Sequence, residues 1–82
     1  MKFNEIMRSV SQANRISQKE IAKITGITES TVSRYFSGER EPSLKSFYKL
    51  CILFDLQPSM VLQWIYPDIK KDLSEIMRER IV

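Results

Sequence analysis

Ser30, Ser33, Arg34 and Ser37 are the residues of this chain whose types and spacing suggest chemistry. They recur three and four apart, so on a helix over 28–37 they share one outward face, with Thr28 and Glu29 at its start. An ordinary solvent face carries Lys, Glu and Gln at such positions. Short hydroxyls instead let a helix approach a flat polar surface closely. A guanidinium forks onto two acceptors at once, as guanine O6 and N7 present in the major groove of DNA. The plainer reading, a hairpin in an ordinary helical bundle, leaves the serine-rich face unexplained.

Catalytic chemistry has little to work with. The chain has no histidine, which removes the commonest general base and metal ligand. Its one cysteine can form neither an intrachain disulfide nor a zinc site, and Cys51 falls in a packed run where it reads as a small core residue. The carboxylates are scattered over solvated faces and caps, and no glycine-rich phosphate loop is present. No enzyme, no metal and no cofactor are expected.

The elements that hold this face follow from periodicity and caps. Phe3, Ile6, Met7, Val10 and Ala13 form one stripe on a first helix over about 3–14. Ser17 opens a second helix with a capping box, Ser17-x-x-Glu20, and Ile16 before it can staple onto Ile21. Ile21, Ala22 and Ile24 are its inward positions, with Ala22 small where the next helix crosses. Gly26 supplies the left-handed turn. Thr28 caps the third helix, Val32, Tyr35 and Phe36 hold it to the body, and Gly38 ends it. Ser43 caps a fourth helix over about 44–55, apolar nearly all round and so expected to be the central core helix. Pro58 suits the first turn of a fifth, to about Tyr66, with Val61, Leu62 and Ile65 inward. After Pro67, Ile69, Leu73, Ile76, Met77 and Ile81 fall between charges, which predicts a sixth, amphipathic helix. No strand is expected.

The 82 residues allow one domain with one modest core. The net charge of +3 lies wholly in residues 1–66, with 9 Lys and Arg against 6 Asp and Glu; residues 67–82 hold 4 of each. A mild basic excess beside the serine-rich face suits a polyanion. No apolar run approaches the ~18–20 residues that span a bilayer, and no signal peptide is visible, so an intracellular protein with no membrane partner is expected.

Gln18-x-Glu20-Ile21-Ala22-x-x-x-Gly26-Ile27-Thr28-x-Ser30-Thr31-Val32-Ser33-Arg34-Tyr35-x-x-Gly38, followed by Pro42-Ser43-Leu44 and Leu50-Cys51-x-x-Phe54, resembles the phage repressor/Cro (lambda-repressor-like, XRE) family over roughly residues 3–65. The resemblance implies an all-α, five- to six-helix domain whose helix-turn-helix holds the third helix out to a DNA groove. It implies base contacts from Thr28, Glu29, Ser30, Ser33 and Arg34, with Arg34 and Ser30 foremost. Thr28 can instead be only a cap, and Glu29 can accept from cytosine or merely complement the helix N-terminus. Backbone phosphates are assigned to Gln18 with Ser17, and to Ser37, Arg40 and Lys45. One departure stands out: where the family often pairs a glutamate on the third helix with an arginine on the first, this chain has Phe36 and Ser11. Replacing both partners of a buried ion pair together is often neutral.

Met60 and Trp64 lie on a separate face of the fifth helix, to be covered by the sixth helix or by a second subunit. The expected organisation is a DNA-binding domain over 1–66 and an amphipathic segment over 67–82. Met60, Trp64, Ile69, Leu73, Ile76 and Met77 form the expected homodimer surface. The expected partner is an operator in double-stranded DNA, bound in the cytoplasm of a bacterial cell at the nucleoid. The rival readings are the DNA-binding antitoxin of a toxin–antitoxin pair, a DNA-binding piece of a larger ligand-sensing regulator, and a helical module that binds no DNA.

Overall fold

The structure, a computed structural model, describes residues 1–81. Val82 and the side chains of Arg80 and Ile81 lie outside the described residues, and with them the place expected for Ile81 in the tail stripe. The described residues form six α-helices and no strand: α1 (Phe3–Asn14), α2 (Gln18–Thr25), α3 (Glu29–Ser37), α4 (Leu44–Leu53), α5 (Pro58–Ile65) and α6 (Ile69–Ile81).

Hydroxyls set where three of the helices begin. The Ser17 hydroxyl accepts from the Glu20 N–H at 3.1 Å, and the Glu20 carboxylate accepts from the Ser17 N–H at 3.2 Å. The expected capping box is therefore complete. Thr28 accepts from the Thr31 N–H at 3.3 Å and Ser43 from the Ser46 N–H at 3.2 Å. Left-handed residues close the helices: Arg15 after α1 at φ 54°, Gly26 after α2 at 75° and Gly38 after α3 at 84°.

Two apolar clusters share α1 and α4. Met7, Ile21, Val32, Tyr35, Phe36, Leu50 and Phe54 join α1–α4, with Ile16 packed against them. Ile6, Phe47, Cys51 and Val61 join α1, α4 and α5. Burial pushes the Cys51 thiol up, which keeps it protonated and inert. Phe3 packs against both clusters and meets Tyr35 edge-on, with ring centroids 6.3 Å apart. That contact, with Phe36 and Met7 together in the first cluster, ties α1 to α3 where the resemblance implies that an ion pair is often found. Ser11 donates its hydroxyl to the Ile16 carbonyl instead.

Several residues expected inside lie outside. Ile24 is 61 % exposed, because Ile21 and Ala22 already fill the contact of so short a helix. Ala13 sits one turn beyond the end of the α1 contact and is exposed. The fourth helix is buried on one side only: Phe47, Leu50, Cys51 and Phe54 face the core, while Leu44 (84 % exposed), Tyr48 and Ile52 face out. A domain of this size has no further layer to cover that side. Leu62 is 44 % exposed for the same reason. The sixth helix projects from the body, giving principal extents of 52 × 21 × 19 Å. Ile69, Leu73, Ile76 and Met77 on α6 are exposed, as are Met60 and Trp64, so α6 does not fold back over α5.

The two glycines separate backbone freedom from space. A Cβ at Gly26 would meet nothing within 4 Å, whereas one at Gly38 would lie 3.1 Å from Asn4 Nδ2 and 3.3 Å from its Cγ. Gly26→Ala is expected to cost about 1 kcal/mol, from the left-handed backbone alone. Gly38→Ala is expected to cost clearly more, because Asn4 must also give way; urea unfolding of the two variants measures the difference.

Candidate nucleic-acid interface

The supporting pair is built where α2 crosses α3. Ile21 and Val32 are fully buried there, with Ala22 beside them in the first cluster. The turn between them rests on Thr25, a buried polar residue. Its hydroxyl donates to the Ile21 carbonyl at 2.7 Å and accepts from the Ile27 N–H at 3.3 Å. Its carbonyl accepts from Lys49 Nζ at 2.9 Å, a contact from α4 that was not expected. The available signal was only a lysine inside an otherwise apolar helical run over 47–54, which does not say what it bonds.

With Val32, Tyr35 and Phe36 turned inward, the opposite face of α3 is fixed by the 100° step of the helix. Glu29, Ser30, Ser33, Arg34 and Ser37 are all exposed on it, as expected. Their hydroxyls are not equally available. Thr28 donates to Thr31 Oγ1 at 2.7 Å while capping the helix, so its oxygen is committed. Ser37 donates to the Arg34 carbonyl at 3.1 Å and accepts from the Glu39 N–H at 3.4 Å. Ser30 lies 3.4 Å from the Thr28 hydroxyl. Ser33 and Arg34 have no side-chain hydrogen bond among the described residues and stand ready for an outside partner.

Around this face lie the groups expected to meet phosphates. Ser17 caps α2, and Gln18 is half-buried at its first position. The N–H groups of Glu39 and Arg40 turn back to the Arg34 carbonyl at 3.1 and 3.4 Å, which brings the exposed Arg40 to the end of α3. Lys45 is exposed in the first turn of α4. At the C-terminal surface α5 presents two exposed apolar flanks. Leu62 and Tyr66 line a cleft with Ile69 and Leu73, and Met60 and Trp64 are not among its residues. The reason is angular: Leu62 and Tyr66 lie on the opposite flank of α5 from Met60 and Trp64.

A family model described as helix-turn-helix, of the XRE (lambda repressor/Cro-like) type, matches residues 9–61. The chain belongs to this helix-turn-helix family, and with it to the DNA-binding transcriptional regulators of the XRE type. The family is not an enzyme class. No match is found among curated proteins or among solved structures. Among the described residues no helix is long and apolar enough to cross a membrane, and no cluster of His, Cys, Asp and Glu could hold a metal ion.

Thr28 is thus placed as the cap of α3, and Thr28→Ala is expected to lower stability by about 1 kcal/mol. Thermal unfolding with and without the substitution measures it. A variant as stable as the parent would return Thr28 to the set of residues free to reach DNA.

Proposed function

We propose that the chain is a sequence-specific transcriptional regulator of phage or prophage Cro or repressor type, binding a palindromic operator as a homodimer in the bacterial nucleoid. The observation that carries this is the exposed face of α3, which holds Ser33 and Arg34 free on a rigidly backed helix. In this reading Arg34 forks onto a guanine, and Ser30 and Ser33 reach neighbouring base edges, with Glu29 at the near end. Ser17, Gln18, Ser37, Arg40 and Lys45 meet phosphates and supply the salt-dependent part of the affinity. Residues 1–66 bind DNA and residues 67–82 join the subunits.

Selection of bound sites from random DNA tests the whole reading, since it reports base preference and half-site spacing together. Two half-sites about 10 bp apart, or a multiple of that, are expected for a two-fold dimer. Arg34→Ala is expected to cost ~1–3 kcal/mol and to relax preference at one base pair per half-site. Equal weakening on every sequence would make Arg34 a phosphate contact.

The homodimer is supported by the tail stripe of Ile69, Leu73, Ile76 and Met77, exposed on a projecting helix within a segment, residues 67–82, that is balanced in charge, with Met60 and Trp64 exposed on α5. A surface balanced in charge can meet a copy of itself across a two-fold axis. Deletion after Pro67 is expected to turn a dimer into a monomer in sedimentation and to lower operator affinity, with α1–α5 still helical by circular dichroism. A deletion that leaves the dimer intact would remove this surface from the interface.

A further inference from the structure

Three hydrogen bonds converge on Thr25, the last residue of α2, and one of them comes from another helix. The Thr25 hydroxyl bonds Ile21 and Ile27, and the Thr25 carbonyl accepts from the half-buried Lys49 at 2.9 Å. That carbonyl is one of the helix-end acceptors with no partner within α2, at the negative end of its dipole, where a cation is favoured. Ile24, Ile52 and Leu53 line the cleft that the lysine crosses. Lys49 itself is held by its neighbours, because Phe47, Leu50 and Cys51 fix α4 in the core. At Gly26, next in the chain, the N–H bonds the Ala22 carbonyl at 2.9 Å, but a Cβ there would meet nothing within 4 Å, so no side chain braces the turn at that residue.

We propose that Lys49 is a positioning residue for DNA recognition: it anchors the turn to α4 and so sets the direction in which α3 leaves α2, without touching DNA. This rests on the reading of the α3 face as the surface that meets bases. A charge held on Thr25 is unavailable to a phosphate, so its removal alters aim and not backbone attraction. Loss of aim penalises a matched site, where Arg34 must meet its base edge, far more than random DNA, which any basic surface attracts.

Lys49→Met keeps the stem and removes the cation. For the site selected by the parent protein, the dissociation constant is expected to rise ~10-fold, the size of one misplaced base contact. Random-sequence DNA is expected to weaken less than about twofold, with the slope of log K against log salt unchanged. Lys49→Arg, which keeps a donor, is expected to recover most of the specific affinity. Hydrogen exchange in the free protein supplies the second measurement. The Gly26 and Ile27 amides are expected to exchange faster in Lys49→Met, with those of Met7 and Val61 unchanged. Parallel weakening on both DNAs with a slope lower by about one unit would make Lys49 a phosphate contact and overturn the proposal. So would exchange that is unchanged at the turn, or equally faster everywhere. Exchange needs no DNA, so it decides the anchor even if the parent protein selects no site, a result that would sink the proposed function instead.

Discussion

Everything outside the core depends on the dry contact between Ile21 and Val32. Both side chains are fully buried, and they sit at the crossing of two helices of eight and nine residues. Helices that short are not stable in water by themselves. Their apolar faces must be held by each other and by α1 and α4, with each such side chain contributing about 1.5–3 kcal/mol on burial. Once Val32, Tyr35 and Phe36 are committed inward, the remaining side of α3 has one orientation open to it. The exposed serine and arginine face is therefore a consequence of what is buried behind it.

The hydroxyls divide between building and reaching. Thr28 and Ser37 resemble Ser30 and Ser33 in chemistry and lie on or beside the same face. Yet the first pair closes hydrogen bonds within the ends of α3, and Ser33 closes none among the described residues. Thr28 meets a free N–H of the first turn of α3 and Ser37 the Arg34 carbonyl where the helix ends, while Ser33 sits between them. Position along the helix thus sorts chemically equal residues into caps and contacts.

How much could be read in advance follows the same division between local and distant. Caps at Ser17, Thr28 and Ser43, and stops at Gly26 and Gly38, are decided within four residues, and α2, α3 and the start of α4 lie where those residues put them. The outward face of α3 was equally legible, because three inward residues fix it. The outer sides of α2, α4 and α5 were not. Ile24, Tyr48, Ile52 and Leu62 look like core residues to a periodicity argument, and only the absence of another layer over them puts them in solvent. The Lys49–Thr25 bond joins residues 24 apart, and no spacing rule reaches that far. Nor does an amphipathic stripe say what it will cover, and the projecting direction of α6 is a property of the whole chain.

The apolar tie between α1 and α3 separates two responses to ionic strength. Where relatives of this type often hold these helices together with opposite charges, here Phe3 meets Tyr35 edge-on and Phe36 packs in the cluster with Met7. Dissolved salt screens charges but leaves such contacts in place. Attraction to a polyanion, by contrast, falls steeply as salt rises. A rise in salt can therefore weaken the attraction of this DNA-binding domain to a polyanion without loosening the joint between α1 and α3, and the released molecule keeps that joint for its next encounter.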